Sequence, residues 1–172
     1  MEEIRRDFYP EDLLPLLMVN KIEGCIAVQA DSSEKETEFL IKCAREHSLV
    51  KGVVGWTDLR PPQLQARLEH YHEFSEIKGF RHIVQSEPDG FLLADSFCRG
   101  IAQLEQYNFT YDILVYPKQL PDVLLFVKKF PRQKFVIDHL AKPLIREKKL
   151  EPWRQLMNEI AQHDNVYCKI SG

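Results

Sequence analysis

The side chains able to do chemistry in this 172-residue sequence recur at the ends of short apolar runs. Gln29 closes "GCIAVQA" (24–30), Trp56 and Asp58 close "GVVGWTD" (52–58), and Arg81, His82 and Gln85 belong to "GFRHIVQ" (79–85). Asp112 and Tyr116 come from "TYDILVY" (110–116), Asp138 and His139 from "KFVIDHL" (134–140), and Lys169 and Ser171 from "VYCKIS" (166–171). A neutral imidazole can take up a proton or ligate a metal, and a guanidinium fork can hold a carboxylate or hydroxyl groups. In parallel α/β folds such groups work beyond the carboxyl ends of the strands. One polar residue there carries no information, whereas a set contributed by every run leans toward a site.

Side-chain alternation sharpens the choices. Along "FVIDHL", Ile137 and His139 share one side of the strand while Val136 and Asp138 share the other. Only one of Asp138 and His139 is then expected to face the site, the other facing the helical layer or a loop. Asp138 reads as a cap or loop hydrogen-bond acceptor. Arg81 and His82 are opposed in the same way, and His82 reads equally as a hydrogen-bonded, half-buried histidine or as a functional one. The pair His70 and His72 resembles a metal-ligand spacing, but "ARLEHYHEF" is helical, and on a helix i and i+2 point about 200° apart. Those two histidines are expected on a solvated surface.

The elements that must position these residues are legible. Between the β-rich runs lie stretches with helical spacing and start signals. Ser33 and Glu36 suggest a capping box before "TEFLIKCAREH", Pro61 and Pro62 open "QLQARLEHYHEF", and Pro152 stands where a first helical position belongs. "SFCRGIAQLEQY" and "LPDVLLFVKKF" carry apolar residues three and four apart. Strand and helix alternate with a period of roughly 20 to 35 residues, as in successive parallel βα units. Six strands fit a complete doubly wound sheet, and equally six of the eight strands of a barrel that usually takes about 250 residues.

Composition narrows the partners. The net charge of −3 argues against nucleic acid or a membrane surface held by charge. No run approaches the roughly 18 apolar residues of a membrane span, and the first ten residues lack a signal-peptide core. Cys25, Cys43, Cys98 and Cys168 are scattered without a C-x-x-C pair, as expected for reduced thiols in a cytoplasm. No glycine follows the first run, so a dinucleotide loop is not expected, and neither a P-loop nor a G-x-S-x-G elbow occurs. A small molecule is the expected partner.

Four segments in order, "KGVVGWTDLRPP", "IKGFRHIVQSEPD", "FVIDHLAKP" and "VYCKISG", resemble the amidohydrolase-related (amidohydrolase 2) family of TIM-barrel hydrolases. The resemblance is to its sugar-lactonase-like branch, of the L-fuconolactonase and L-rhamnonolactonase type, and runs from "RRDFYPEDL" to Gly172. It implies a (β/α)8 barrel of which strands 2 to 7 are present, a single domain over residues 1–172 truncated at both ends. It implies His139 as catalytic residue and metal ligand, Arg81 as a catalytic, substrate-orienting residue, and Gln29, Trp56, His82, Asp112 and Tyr116 as pocket residues. A divalent metal, zinc first among candidates, is implied for some members and dispensable in others. The family's H-x-H strand and the strand carrying its catalytic aspartate have no counterpart in these residues. The chain alone is therefore expected to be inactive, within a hydrolase that opens sugar-acid lactones. The alternative is a doubly wound domain that binds a small ligand without hydrolysis.

Overall fold

The computed structural model describes residues 5–171. Six strands form one sheet: β1 (Cys25–Val28), β2 (Val50–Gly55), β3 (Ile77–Ile83), β4 (Thr110–Leu114), β5 (Phe135–Ile137) and β6 (Val166–Cys168). All neighbours are parallel, and the spatial order is the chain order, β1 to β6. A doubly wound sheet must reverse its order at a switch point. This sheet never does. With right-handed crossovers, unbroken order places every helix on one face and leaves the other free. That is barrel winding, and it removes the doubly wound alternative.

The helices are α1 (Pro10–Val19), α2 (Glu34–Glu46), α3 (Leu64–His72), α4 (Asp95–Leu104), α5 (Leu120–Lys129) and α6 (Trp153–Ile160). The sequence reading assigns no element to α1, whose interior Pro15 interrupts its pattern. Pro152 immediately precedes α6 instead of occupying its first turn. Ser33 does cap α2, accepting from the Glu36 N–H at 3.3 Å. The Glu36 carboxylate does not close the box on Ser33. It accepts from the N–H groups of Ala30 and Asp31 and so ties down the β1–α2 turn.

Register explains which residues face where. Phe80, Tyr111 and Phe135 lie side by side on β3, β4 and β5, with Val166 next on β6. This row faces the helices, where Tyr71 meets Phe80, Phe97 meets Tyr111, and Phe126 meets Phe135 at centroid distances of 5.4, 5.7 and 5.1 Å. Each of these rings is essentially inaccessible to solvent, worth about 2 kcal/mol apiece in transfer terms. The alternate row, Arg81, Asp112, Val136 and Tyr167, faces away from the helices. His70 and His72 are exposed on α3, as their spacing predicts.

Candidate active site

The polar residues on the free face form one connected cluster. Arg81 on β3 donates through Nη1 to Asp138 Oδ2 at 2.8 Å and through Nη2 to the Gln29 carbonyl. Gln29, just past β1 and fully buried, donates back from Nε2 to the Arg81 carbonyl at 3.1 Å. Lys169, just past β6, places Nζ 2.5 Å from Asp112 Oδ2 and 2.6 Å from Asp138 Oδ1. Residues following or within β1, β3, β4, β5 and β6 thus share one network. Two cations answer two carboxylates, which is what burial of four charges requires.

Protonation follows from this packing. Burial works to lower the Lys169 value, but Asp112 and Asp138 outweigh it and hold the ammonium above its ordinary range. Burial pushes the Asp112 carboxyl up, with Lys169 opposing. The Arg81 Nε–H is buried and has no partner among the described residues.

The exit from β5 corrects the alternation argument. The strand stops at Ile137, and residues His139, Leu140, Ala141 and Lys142 have φ of 53°, 55°, 54° and 51°. Two-residue alternation ends where extended backbone ends, so Asp138 and His139 need not be opposed. Asp138, expected as a cap or loop acceptor, is instead the fully buried centre of the ionic cluster. His139 is half-buried and places Nδ1 2.9 Å from Ser171 Oγ beyond β6. Four successive left-handed residues without a glycine cost roughly 1–2 kcal/mol each. The turn is held by Leu140 N–H to the Lys169 carbonyl (3.2 Å), Trp153 Nε1–H to the Leu140 carbonyl (2.7 Å) and Lys142 N–H to the His139 carbonyl (2.8 Å).

Three further expected residues, His82, Trp56 and Tyr116, sit apart from the ionic cluster. His82, read from the resemblance as a pocket residue, points to the helix side of β3. Trp56 Nε1–H donates to its Nδ1 at 3.2 Å, so Nε2 carries the proton and donates to Glu87 at 2.7 Å. The ring also stacks on Phe91 at 4.9 Å. With both nitrogens occupied and the residue 9% exposed, His82 supports Trp56 instead of presenting itself to a ligand. Thr37 of α2 pins Trp56 from behind, donating to its carbonyl and accepting from its N–H, both at 2.8 Å. Gly55 permits this, since a Cβ there would lie 2.5 Å from Thr37 Cγ2. Tyr116 is exposed at the β4 exit, with Lys142 Nζ 5.5 Å from its ring centroid.

Sequence reasoning places Asp138 and Lys169 at strand ends without assigning either a role in the site, and it does not single out Lys142 or Glu87. Lys169 carried a signal, being the charged residue inside "VYCKIS". Its meeting with Asp112 depends on register across two strands. The described residues do not assemble the metal site the resemblance implies: no three His, Cys, Asp or Glu side chains among them converge on one point. Asp112 and Asp138 are committed to Lys169 and Arg81, which leaves His139 as a lone donor. A groove of about 1050 Å³ between α1, β1 and α2 contains none of the cluster residues.

The amidohydrolase family model (Amidohydro_2) matches residues 2–172. The chain is 37% identical over 179 residues to an L-fucono-1,5-lactonase of Burkholderia multivorans, covering 100% of this chain and 60% of that protein. A second L-fucono-1,5-lactonase, from Burkholderia ambifaria, is 35% identical over 100% of this chain and 60% of its own length. The crystal structure of a Burkholderia multivorans amidohydrolase with bound zinc superposes with a TM-score of 0.94 at 38% identity, covering 100% of this chain and 62% of that one. An amidohydrolase 2 from Bifidobacterium longum subsp. infantis, 18% identical, covers 100% of this chain and 64% of that one at a TM-score of 0.75 and shares the fold. The chain therefore spans about three-fifths of the length of these two curated relatives. Its six units are six of the barrel type inferred from strand order.

Proposed function

The chain belongs to the amidohydrolase family, and on that footing we propose that it is the central part of a hydrolase that opens a sugar-acid lactone. The observation that carries this reading is the compensated cluster Arg81–Asp138–Lys169–Asp112, built from β3 and β4 and from the exits of β5 and β6, with His139 and Ser171 meeting just past the same two exits. The names of the Burkholderia relatives supply the substrate class.

In this reading water adds to the lactone carbonyl, the ring C–O bond breaks, and the ring oxygen leaves as a hydroxyl. Negative charge that develops on the carbonyl oxygen needs donors already in place. His139, with Nδ1 engaged by Ser171, keeps Nε2 for that oxygen. Lys169 and Arg81, each paired with a carboxylate, form a polar floor under the site. Trp56, held by His82 and Thr37, gives a flat apolar wall for a sugar ring. A base for the water is assigned to a carboxylate outside these residues, as the family resemblance implies.

The test is His139→Ala in the full-length protein, assayed on L-fucono-1,5-lactone. Loss of one positioned donor or proton carrier lowers kcat/KM by about a hundredfold or more. Unchanged kcat/KM would refute the role of His139.

A further inference from the structure

The ionic cluster on the free face is closed: each of its two cations has a carboxylate, and each carboxylate a cation. Lys142 stands outside that balance. Its Nζ is 3.3 Å from Gln85 Oε1 and 5.5 Å from the Tyr116 ring centroid, and neither partner is anionic. No carboxylate pairs with it among the described residues.

This ammonium is also held in place instead of being left to swing in water. Gln85 follows β3, Tyr116 follows β4 and Lys142 follows β5, so three successive strand exits fix one side chain. Lys142 is half-buried, and it ends the left-handed turn that carries His139. A lysine next to Pro143 is sterically biased toward extended backbone, yet its φ and ψ are 51° and 60°. Strained backbone of this kind persists where surrounding structure over-determines it, and it concentrates at binding and catalytic positions. The strain here delivers His139 and Lys142 from the same four residues.

We propose that Lys142 is a carboxylate-reading residue of the site, with Gln85 and Tyr116 as its frame. The inference rests on the hydrolase reading for its ligand: a lactone is neutral, and ring opening by water creates a carboxylate and releases a proton. An uncompensated ammonium at the strand exits, on the same turn as His139, favours the charged product, and the charge building toward it, over the neutral lactone. Lys142 therefore discriminates sugar acids from sugars of the same size and hydroxyl pattern.

Two probes separate charge from shape: L-galactonate, a sugar acid, and galactitol, its neutral counterpart. Binding of each to the full-length protein is measured by calorimetry for wild type, Lys142→Met and Lys142→Arg. The expected result is that Lys142→Met weakens galactonate by about tenfold, as for loss of a charged hydrogen bond. Galactitol binding is retained, and Lys142→Arg restores most of the galactonate affinity. Equal galactonate affinity in wild type and Lys142→Met overturns the proposal, as does equal loss of both probes or failure of galactonate to bind the wild type. Turnover of L-fucono-1,5-lactone is followed in parallel. Carboxylate-selective binding without turnover refutes the hydrolase reading alone, and turnover without selectivity refutes the role of Lys142 alone.

Discussion

Replacing Asp138 by asparagine tests the ionic cluster directly. Asp138 is fully buried and bonded to Arg81 at 2.8 Å and to Lys169 at 2.6 Å. Asparagine keeps the shape and one acceptor oxygen but removes the charge. Breaking a buried ion pair by removing one partner costs about 3–5 kcal/mol, because the other charge stays buried. The two partners differ in what they lose. Lys169 has a side chain 33% exposed and keeps Asp112, so water and the second carboxylate soften its share. Arg81 is 11% exposed and keeps only the oxygens of Gln29, so it dominates. The expected loss is therefore at the lower end, about 3 kcal/mol, or about 6–12 °C in Tm for a chain of this size. Urea unfolding followed by far-UV circular dichroism at pH 7 measures it. Arg81→Met is expected to cost a similar amount, and the double variant Arg81→Met/Asp138→Asn less than the sum, by at least about 1.5 kcal/mol. A loss under about 1 kcal/mol for Asp138→Asn, or additive costs in the double variant, would refute a compensated buried cluster.

Two other perturbations probe its neighbours. A Cβ on Gly55 would lie 2.5 Å from Thr37 Cγ2, so Gly55→Ala is expected to cost about 1–3 kcal/mol in urea unfolding. Adding Thr37→Ser, which removes that methyl and keeps the hydroxyl, recovers part of the loss. Lys169 is held above the ordinary lysine value of 10.5, so the native state keeps its proton more tightly than the unfolded chain. Its stabilisation is complete below that value and is lost as pH rises through the higher native one. Denaturation midpoints from pH 8 to 12 should fall less steeply above 10.5 in Lys169→Met than in wild type, and equal slopes would count against the pairing.

The strand–helix alternation and the gathering of polar side chains at strand ends were legible because both are local. Apolar runs such as "GVVG" and "TYDIL" are buried on both sides and leave a recurring trace, and the four resembling segments point to the family whose model matches the chain. Periodicity alone did not distinguish the winding, because a doubly wound sheet and a barrel use the same βα unit, and the barrel was implied only by the family resemblance. Spatial strand order, a property of long-range pairing, decided it. The same holds within the site. Asp138 and His139 were opposed by a rule that is valid only in extended backbone, and the left-handed turn after Ile137 cancelled it. His82 and Arg81 were separated correctly because β3 runs straight through both. The sequence by itself determined which residues could be charged, aromatic or kinked at each strand end. Only tertiary structure decided their partners: Lys169 meets Asp112 and Asp138 across a register that no local pattern encodes, and buried charge is tolerated only where such partners converge.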